Sequence, residues 1–163
     1  MPSLSSAKAR RTAARLSAVQ ALYQLELGDG PAARAVYDLM QMRQDDIEEQ
    51  LVEPDQTLLK TITEGVQDRL ADVDALVGGA LSEGRGIERA EALLRAIYRA
   101  GTFELMSDGV TPVGIIINDY MNVAHAFFAE GEHTKVNAVL DSVARALGRG
   151  RDGGQSTASP AGM

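Results

Sequence analysis

The chain of 163 residues contains no cysteine and no tryptophan, and aromatic residues make up only 4% of it. Without cysteine, a disulfide scaffold, a thiolate nucleophile and a cysteine-ligated zinc or iron–sulfur site are all excluded. This absence also fits a reducing cytoplasm. The shortage of aromatic rings means that the core must be built from aliphatic side chains. No apolar run approaches the roughly 18 residues of a membrane span, and the N-terminus lacks a signal-peptide stretch, so neither a span nor secretion is expected.

Sequence signatures of catalysis are also scarce. The chain has no phosphate-binding GxxxxGK[ST] loop, no GxSxG nucleophile elbow and no HExxH zinc motif. Its two histidines, His125 and His133, are eight positions apart and have no second ligand pair at metal-binding spacing. Gly84 and Gly86 do not open a dinucleotide fingerprint, because Arg89 stands where a third glycine is needed. We therefore expect a protein that is not an enzyme and that uses no cofactor and no metal.

The charge of the chain is distributed unevenly. Hydrophobic residues at 45% and charged residues at 24% are ordinary values for one globular domain, and the formal net charge is −7. The first 15 residues carry four cations and no acid, so the other 148 residues carry a net charge of −11. An acidic protein with a wholly basic N-terminal arm is predicted to present that end to a polyanion.

Apolar residues recur with the 3.6-residue period of helices, and no segment shows the alternation of a half-buried strand. The sequence therefore predicts an all-α bundle of six or seven helices with short connections. We expect a loose arm at 1–6, a helical domain over 7–147 and a disordered Gly- and Ser-rich tail over 148–163. The predicted helices cover about 7–27, 31–43, 55–81 (one helix, or two broken near Asp72), 88–106, 112–128 and a last helix that ends near 147, with an acidic linker at 44–55.

A basic stripe is predicted on the first helix. Lys8, Arg11 and Arg15 lie at i, i+3 and i+7, which places them within a sector about 60° wide, while Arg10 points elsewhere. A cationic helix start opposes the helix dipole, so these charges do not serve helix stability. Three cations about one turn apart are suited to follow a phosphate backbone.

Other candidates for contact with RNA lie near the end of the first helix and on later helices. Single-stranded RNA is commonly bound by stacking its bases on aromatic rings, and Tyr23 and Phe127 are candidate platforms. Both residues also sit on apolar stripes, where packing in the core is the more frequent role of an aromatic ring. Lys135 and Asn137, at the start of the last helix, offer another cation and an amide.

Several strings, in order and spacing, resemble the NusB family of transcription antitermination factors, particularly its alphaproteobacterial members. The resemblance covers residues 8–147, and its most specific parts are VQALYQ and VNAVLD. The strings that carry it are Ala18-Val19-Gln20-Ala21-Leu22-Tyr23, Leu94-Arg95-Ala96-Ile97 through Phe103-Glu104-Leu105, Ile117-Asn118-Asp119-Tyr120 and Val136-Asn137-Ala138-Val139-Leu140-Asp141.

The resemblance implies a compact protein of two small helical sub-bundles that is not an enzyme. It implies binding of boxA-type single-stranded RNA in ribosomal RNA leader transcripts, together with the ribosomal protein NusE. The pair would then join NusA, NusG and RNA polymerase to suppress premature termination. The implied NusE surface is the helix at 88–106 with nearby loops, and the implied RNA contacts are Arg10, Arg11, Arg15, Tyr23 and the stretch from Phe127 to Asn137. The resemblance does not decide whether the free protein forms a homodimer.

The chain departs from the family pattern at two places. Thr134-Lys135 stands before Val136 where relatives often have Lys-Phe, so a cation replaces an aromatic ring at Lys135. We therefore expect an RNA contact there that depends more on salt and less on stacking. Thr12 and Ala13 stand where relatives often have further basic residues, which reduces the number of phosphates that the first helix neutralises.

Two alternatives remain open at this point. The first is a protein–protein adaptor for NusE with weak or nonspecific RNA contact, which the acidic balance favours because a ribosomal partner is expected to be basic. The second is a free-standing relative of the N-terminal domain of the RsmB ribosomal RNA methyltransferases, which this helical domain also resembles. The chain has neither the Rossmann-like domain nor the catalytic cysteine of those enzymes.

Overall fold

The computed structural model describes residues 6–28, 52–81, 86–87, 90–128 and 131–150. Within these ranges the chain forms six α-helices and no strand, which confirms the predicted all-α class. The helix predicted over 31–43, most of the acidic segment at 44–55 and most of the predicted tail lie outside the described residues. The helices are α1 (Ala7–Leu27), α2 (Gln56–Asp68), α3 (Leu70–Ala80), α4 (Ala92–Ser107), α5 (Val113–Phe127) and α6 (Glu132–Ala146).

Side-chain caps mark where α1 and α2 begin. The Ser6 hydroxyl accepts a hydrogen bond from the Ala9 amide at 3.0 Å, and Asp55 does the same for the Leu58 amide at 3.0 Å. Of the two alternatives predicted for 55–81, the structure shows two helices, and the break lies at Arg69 rather than near Asp72. Pro112 is the cap of α5 and not its first helical residue, one position from the prediction.

Helix α4 lies at the centre of the described structure and packs against each of the other five helices. Eleven of its sixteen residues are buried, including Ile97, Phe103 and Leu105. Helices α1 and α2 pack against each other on α4, while α5 and α6 form a second pair that also packs on it. This arrangement fixes the start of α1 beside α5, where most of the predicted RNA contacts lie.

Two glycines allow the helices to approach α4 closely. A Cβ on Gly65 of α2 would lie 2.1 Å from Cζ of Phe103, so the ring occupies the space that a side chain would need. A Cβ on Gly101 of α4 would lie 2.7 Å from Cδ1 of Leu140. The Phe103 ring is thus packed against the backbone of Gly65, and the Leu140 side chain against that of Gly101.

Candidate nucleic-acid interface

The start of α1 carries cations at the surface. Lys8 and Arg10 are exposed and Arg11 is half-buried. The Nε group of Arg10 donates to the Glu53 carbonyl at 3.4 Å, and the Asp55 amide donates to the Arg10 carbonyl at 2.9 Å. These bonds hold the first turns of α1 against the segment that leads into α2. Among the described residues, no acidic side chain forms an ion pair with Lys8, Arg10 or Arg11.

Arg15 does not belong to this surface, which corrects the prediction of a three-cation stripe. Only 1% of the residue is exposed. Its Nε and Nη2 groups donate to the two carboxylate oxygens of Glu104 at 2.7 and 2.9 Å, and its Nη1 group donates to Asp119 at 2.8 Å. Two carboxylates on α4 and α5 therefore neutralise this guanidinium inside the molecule, and they leave no donor facing a phosphate.

The buried ion network extends to two hydroxyl groups. Tyr120 donates to Glu104 at 2.8 Å, and Thr12 donates to the same oxygen of Asp119 that Arg15 uses, at 2.9 Å. Burial tends to lower the pKa of Arg15, but the bonds and charge of Glu104 raise it overall, so the guanidinium stays protonated. Burial, and then the charge of Glu104, raises the pKa of Tyr120 well above its ordinary value.

The acidic half of this network was not predicted from the sequence. Glu104 is flanked by Phe103 and Leu105, and Asp119 lies three positions after Ile116 and four before Val123, so each acid interrupts an apolar stretch of its helix. A lone acid on a buried helix face needs a paired cation, because an unpaired buried charge is costly. Such acids in the sequence therefore predict that one of the four N-terminal cations lies inside the molecule.

The two aromatic candidates have different surroundings. Tyr23 is only 8% exposed and belongs to the core cluster, so its ring does not form an open stacking platform. Burial, followed by the charges of Glu91 and Glu26, raises the pKa of its hydroxyl group. Phe127 ends α5 and is partly buried against the core, which leaves part of its ring at the surface.

A groove beside the start of α1 collects several of the polar candidates. Its volume is about 730 Å³, and its lining includes Lys8 and Thr12 from α1 and Asn137 from α6. Helix α5 supplies the opposite wall, with Asn118 and Asn122 among its residues. The sequence analysis did not single out Asn118 or Asn122 as contact residues. Lys135 lies outside the lining of this groove; its side chain is 62% exposed, and its Nζ group is 3.3 Å from Glu132.

The expected NusE surface, the helix at 88–106 with nearby loops, includes α4, most of which is buried. Its partly exposed arginines are engaged in ion pairs that join α4 to neighbouring helices, Arg95 with Glu26 and Arg99 with Asp74 at 2.8 Å. The loop that follows α4 is more accessible. Val110 in this loop is 91% exposed.

That loop is held by hydrogen bonds despite its exposure. One carboxylate oxygen of Asp108 accepts from the Val110 amide at 2.8 Å and from the Thr111 amide at 2.9 Å. Arg149 donates to the carbonyls of Leu105 and Thr111 at 2.6 and 3.2 Å, which ties the end of the described chain to both sides of the loop. Val110 is therefore presented by a loop of fixed shape.

Neither a metal centre nor a membrane span emerges from the described ranges. The rings of His125 and His133 meet edge to face with centroids 5.0 Å apart. No group of three or more acidic or histidine side chains in the described part of the chain is arranged to hold a metal ion. Of the helices described above, none is both long enough and apolar enough to cross a bilayer.

The fold and this surface define an all-helical protein with a cationic helix start beside a polar groove. A solved structure of Thermotoga maritima NusB (named "T. maritima NusB") superimposes with a TM-score of 0.63, covering 83% of this chain and 90% of that one at 23% identity. The NusB family model matches residues 12–145. The chain belongs to the NusB family.

Relatives support the same assignment over most of the chain. A protein of Maricaulis maris, named transcription antitermination protein NusB, is 40% identical over 146 residues, which are 88% of this chain and 91% of that one. A protein of Rhizobium rhizogenes with the same name is 38% identical over 138 residues, 83% of this chain and 86% of that one. Both come from the bacterial group that the sequence resemblance indicated.

Proposed function

We propose that this protein is a transcription antitermination factor that binds boxA-type single-stranded RNA in ribosomal RNA leader transcripts together with NusE. In this proposal the pair acts with NusA, NusG and RNA polymerase. The observation that carries the proposal is the cationic start of α1 on an otherwise acidic molecule. Lys8, Arg10 and Arg11 lie on the first turns of that helix without an acidic ion-pair partner among the described residues.

The number of cations available to contact RNA predicts how steeply binding depends on salt. With Arg15 engaged internally, three cations of α1 remain to contact phosphates, and Lys135 adds a separate one. Each contact with a single strand contributes a slope of about −0.7 to the dependence of log K on log salt, so the three cations predict a slope of about −2. A fourth contact at Lys135 would bring the slope to about −2.8.

The test is a titration of a short boxA-type RNA and a scrambled RNA of the same composition at several salt concentrations, with and without NusE. The proposal expects the slope above and a preference for the boxA-type sequence when NusE is present. Lys8→Ala and Arg11→Ala should each reduce the steepness of the slope by about 0.7. A slope near zero, or equal affinity for both RNAs in the presence of NusE, would refute RNA recognition as the main function.

The adaptor for NusE is the second candidate, and two observations favour it. The net charge is −7, and the loop after α4 presents an apolar side chain from a fixed backbone. If NusE contacts this loop, Val110→Glu should weaken its binding by about tenfold or more, because a charge would be buried at the contact. Leu25→Glu, which adds the same charge at another exposed apolar position, is the matched control and should leave binding unchanged. Equal effects of the two substitutions would exclude the loop as the contact.

A further inference from the structure

The groove beside α1 contains all three asparagines of the 163-residue chain. Asn118 and Asn122 lie one turn apart on α5, and Asn137 comes from α6. Asn118 and Asn122 are exposed, and neither side chain has a hydrogen-bond partner in the part of the chain that the structure describes. Two carboxamides are thus available at the wall of a groove of about 730 Å³, a volume in the range of small-ligand sites.

The remaining lining suits a flat ring better than a phosphate. Ile115, which is 40% exposed, and Met121 supply apolar surface, and a methionine sulfur makes favourable contacts with aromatic rings. Asp119 also lines the groove, and its negative charge opposes a phosphate at that position. Lys8 lies at the α1 side, where it continues the cationic start of the helix and can contact the backbone of a bound strand.

The buried network holds Asp119 in place, and the α5 wall of the groove is therefore fixed at this residue. One of its oxygens accepts from both Thr12 and Arg15, so the positions of α1 and α5 are locked together at the groove. A site whose polar groups are already positioned loses less entropy when a ligand binds. Among the described residues, the groove thus combines a wall fixed by Asp119, the unpaired amides of Asn118 and Asn122, and one cation.

We propose that this groove holds one unstacked base of the bound RNA, with the amides of Asn118 and Asn122 reading its edge and Lys8 contacting the neighbouring phosphate. An amide offers a donor and an acceptor side by side, which matches a base edge such as that of adenine. The inference rests on the proposed RNA-binding function and adds to it a site that selects sequence. Amide contacts select a base with little dependence on salt, whereas Lys8 contributes affinity that depends on salt.

The test compares Asn118→Ala, Asn122→Ala and Lys8→Ala on the full chain with NusE present. Alanine favours helix and both asparagines are exposed, so the variants should remain folded, which circular dichroism checks. The probes are a boxA-type RNA, a set of RNAs that each carry one changed base, and a scrambled RNA. Gln67→Ala, which removes an exposed amide from α2 outside the groove, is the matched control.

Each asparagine variant should lose about tenfold in affinity for the boxA-type RNA, lose the preference at one position and keep the wild-type salt slope. Lys8→Ala should instead lower affinity for every RNA and change the slope. The inference is overturned if the wild-type protein prefers the boxA-type RNA while the asparagine variants retain that preference. Equal weakening on all RNAs also overturns it, because the amides would then contact the backbone. If the wild-type protein shows no preference at all, the proposed function itself fails.

Discussion

The buried position of Arg15 leads to a prediction that separates stability from RNA binding. Arg15→Met removes three hydrogen bonds of 2.7 to 2.9 Å and leaves two carboxylates without a cation. The side chains of Glu104 and Asp119 are only 2% and 10% exposed, so water replaces little of the lost pairing. Breaking such a pair from one side costs about 3–5 kcal/mol, a large part of the roughly 5–15 kcal/mol that stabilises a typical domain.

The assay is urea unfolding followed by far-ultraviolet circular dichroism, with the free energy of unfolding obtained by linear extrapolation. A companion variant, Arg15→Met with Glu104→Gln and Asp119→Asn, removes all three charges while keeping acceptors for Tyr120 and Thr12. This variant should recover most of the lost stability, because a neutral cluster no longer leaves a buried charge unpaired. A loss below about 1 kcal/mol for Arg15→Met would refute the account of the network.

The neutral companion variant also tests the RNA surface. Because it is expected to fold, its binding to RNA is measurable without the destabilisation of the single substitution. Its salt slope should equal that of Asp119→Asn alone, which accounts for the charge that Asp119 contributes to the groove, whereas Arg11→Ala, which removes one cation from the surface of α1, should reduce the steepness by about 0.7. A less steep slope in the neutral variant would show that Arg15 contacts RNA and would contradict its internal role.

Three further predictions concern packing, titration and the second cationic position. Gly65→Ala should destabilise the protein by about 1–3 kcal/mol, because its Cβ would overlap the Phe103 ring. In the same unfolding assay, Gly78→Ala on α3 should stabilise the protein by about 0.5–1 kcal/mol, because its Cβ meets open space. Equal effects of the two substitutions would contradict the close approach of α2 to α4. Burial, and then the charge of a neighbouring glutamate, raises the pKa of Tyr98 to about 12. The contribution of Tyr98 to stability is therefore complete below pH 10 and is lost as the pH rises toward 12. An ultraviolet titration in which Tyr98→Phe removes a tyrosine that ionises near pH 10 would exclude the raised pKa. Lys135→Ala should weaken RNA binding at low salt and have less effect at high salt, and a loss of affinity independent of salt would indicate a contact other than one with phosphate.

The described helices were predictable mainly because their apolar residues recur with the helical period. Ser6 and Asp55 are both in place as caps, and α1 has the predicted bounds. The break at Arg69 was harder to place, since Leu70 and Val73 continue the apolar pattern across it. Periodicity reports which face of a helix is apolar, and two helices joined without a loop can keep that pattern almost unchanged.

The candidate site was less predictable because spacing along one helix does not show what the facing helices contribute. Lys8 and Arg15 lie on one sector of α1, but the end of that sector passes between α4 and α5, where two acids receive Arg15. In the same way, Asn118 and Asn122 look like ordinary polar positions until α6 brings Asn137 to the same groove. These relations between residues distant in sequence require the tertiary structure.

The central position of α4 has a consequence for how the molecule loses its structure. Since this helix forms part of the contact surface of every other described helix, neither of the flanking pairs can detach without exposing the apolar side chains that α4 buries. Opening of the cationic end and opening of the Val110 loop should therefore be one concerted event, with hydrogen exchange in α1 and α6 reporting the same free energy. The described helices should in this way lose their structure as one cooperative unit.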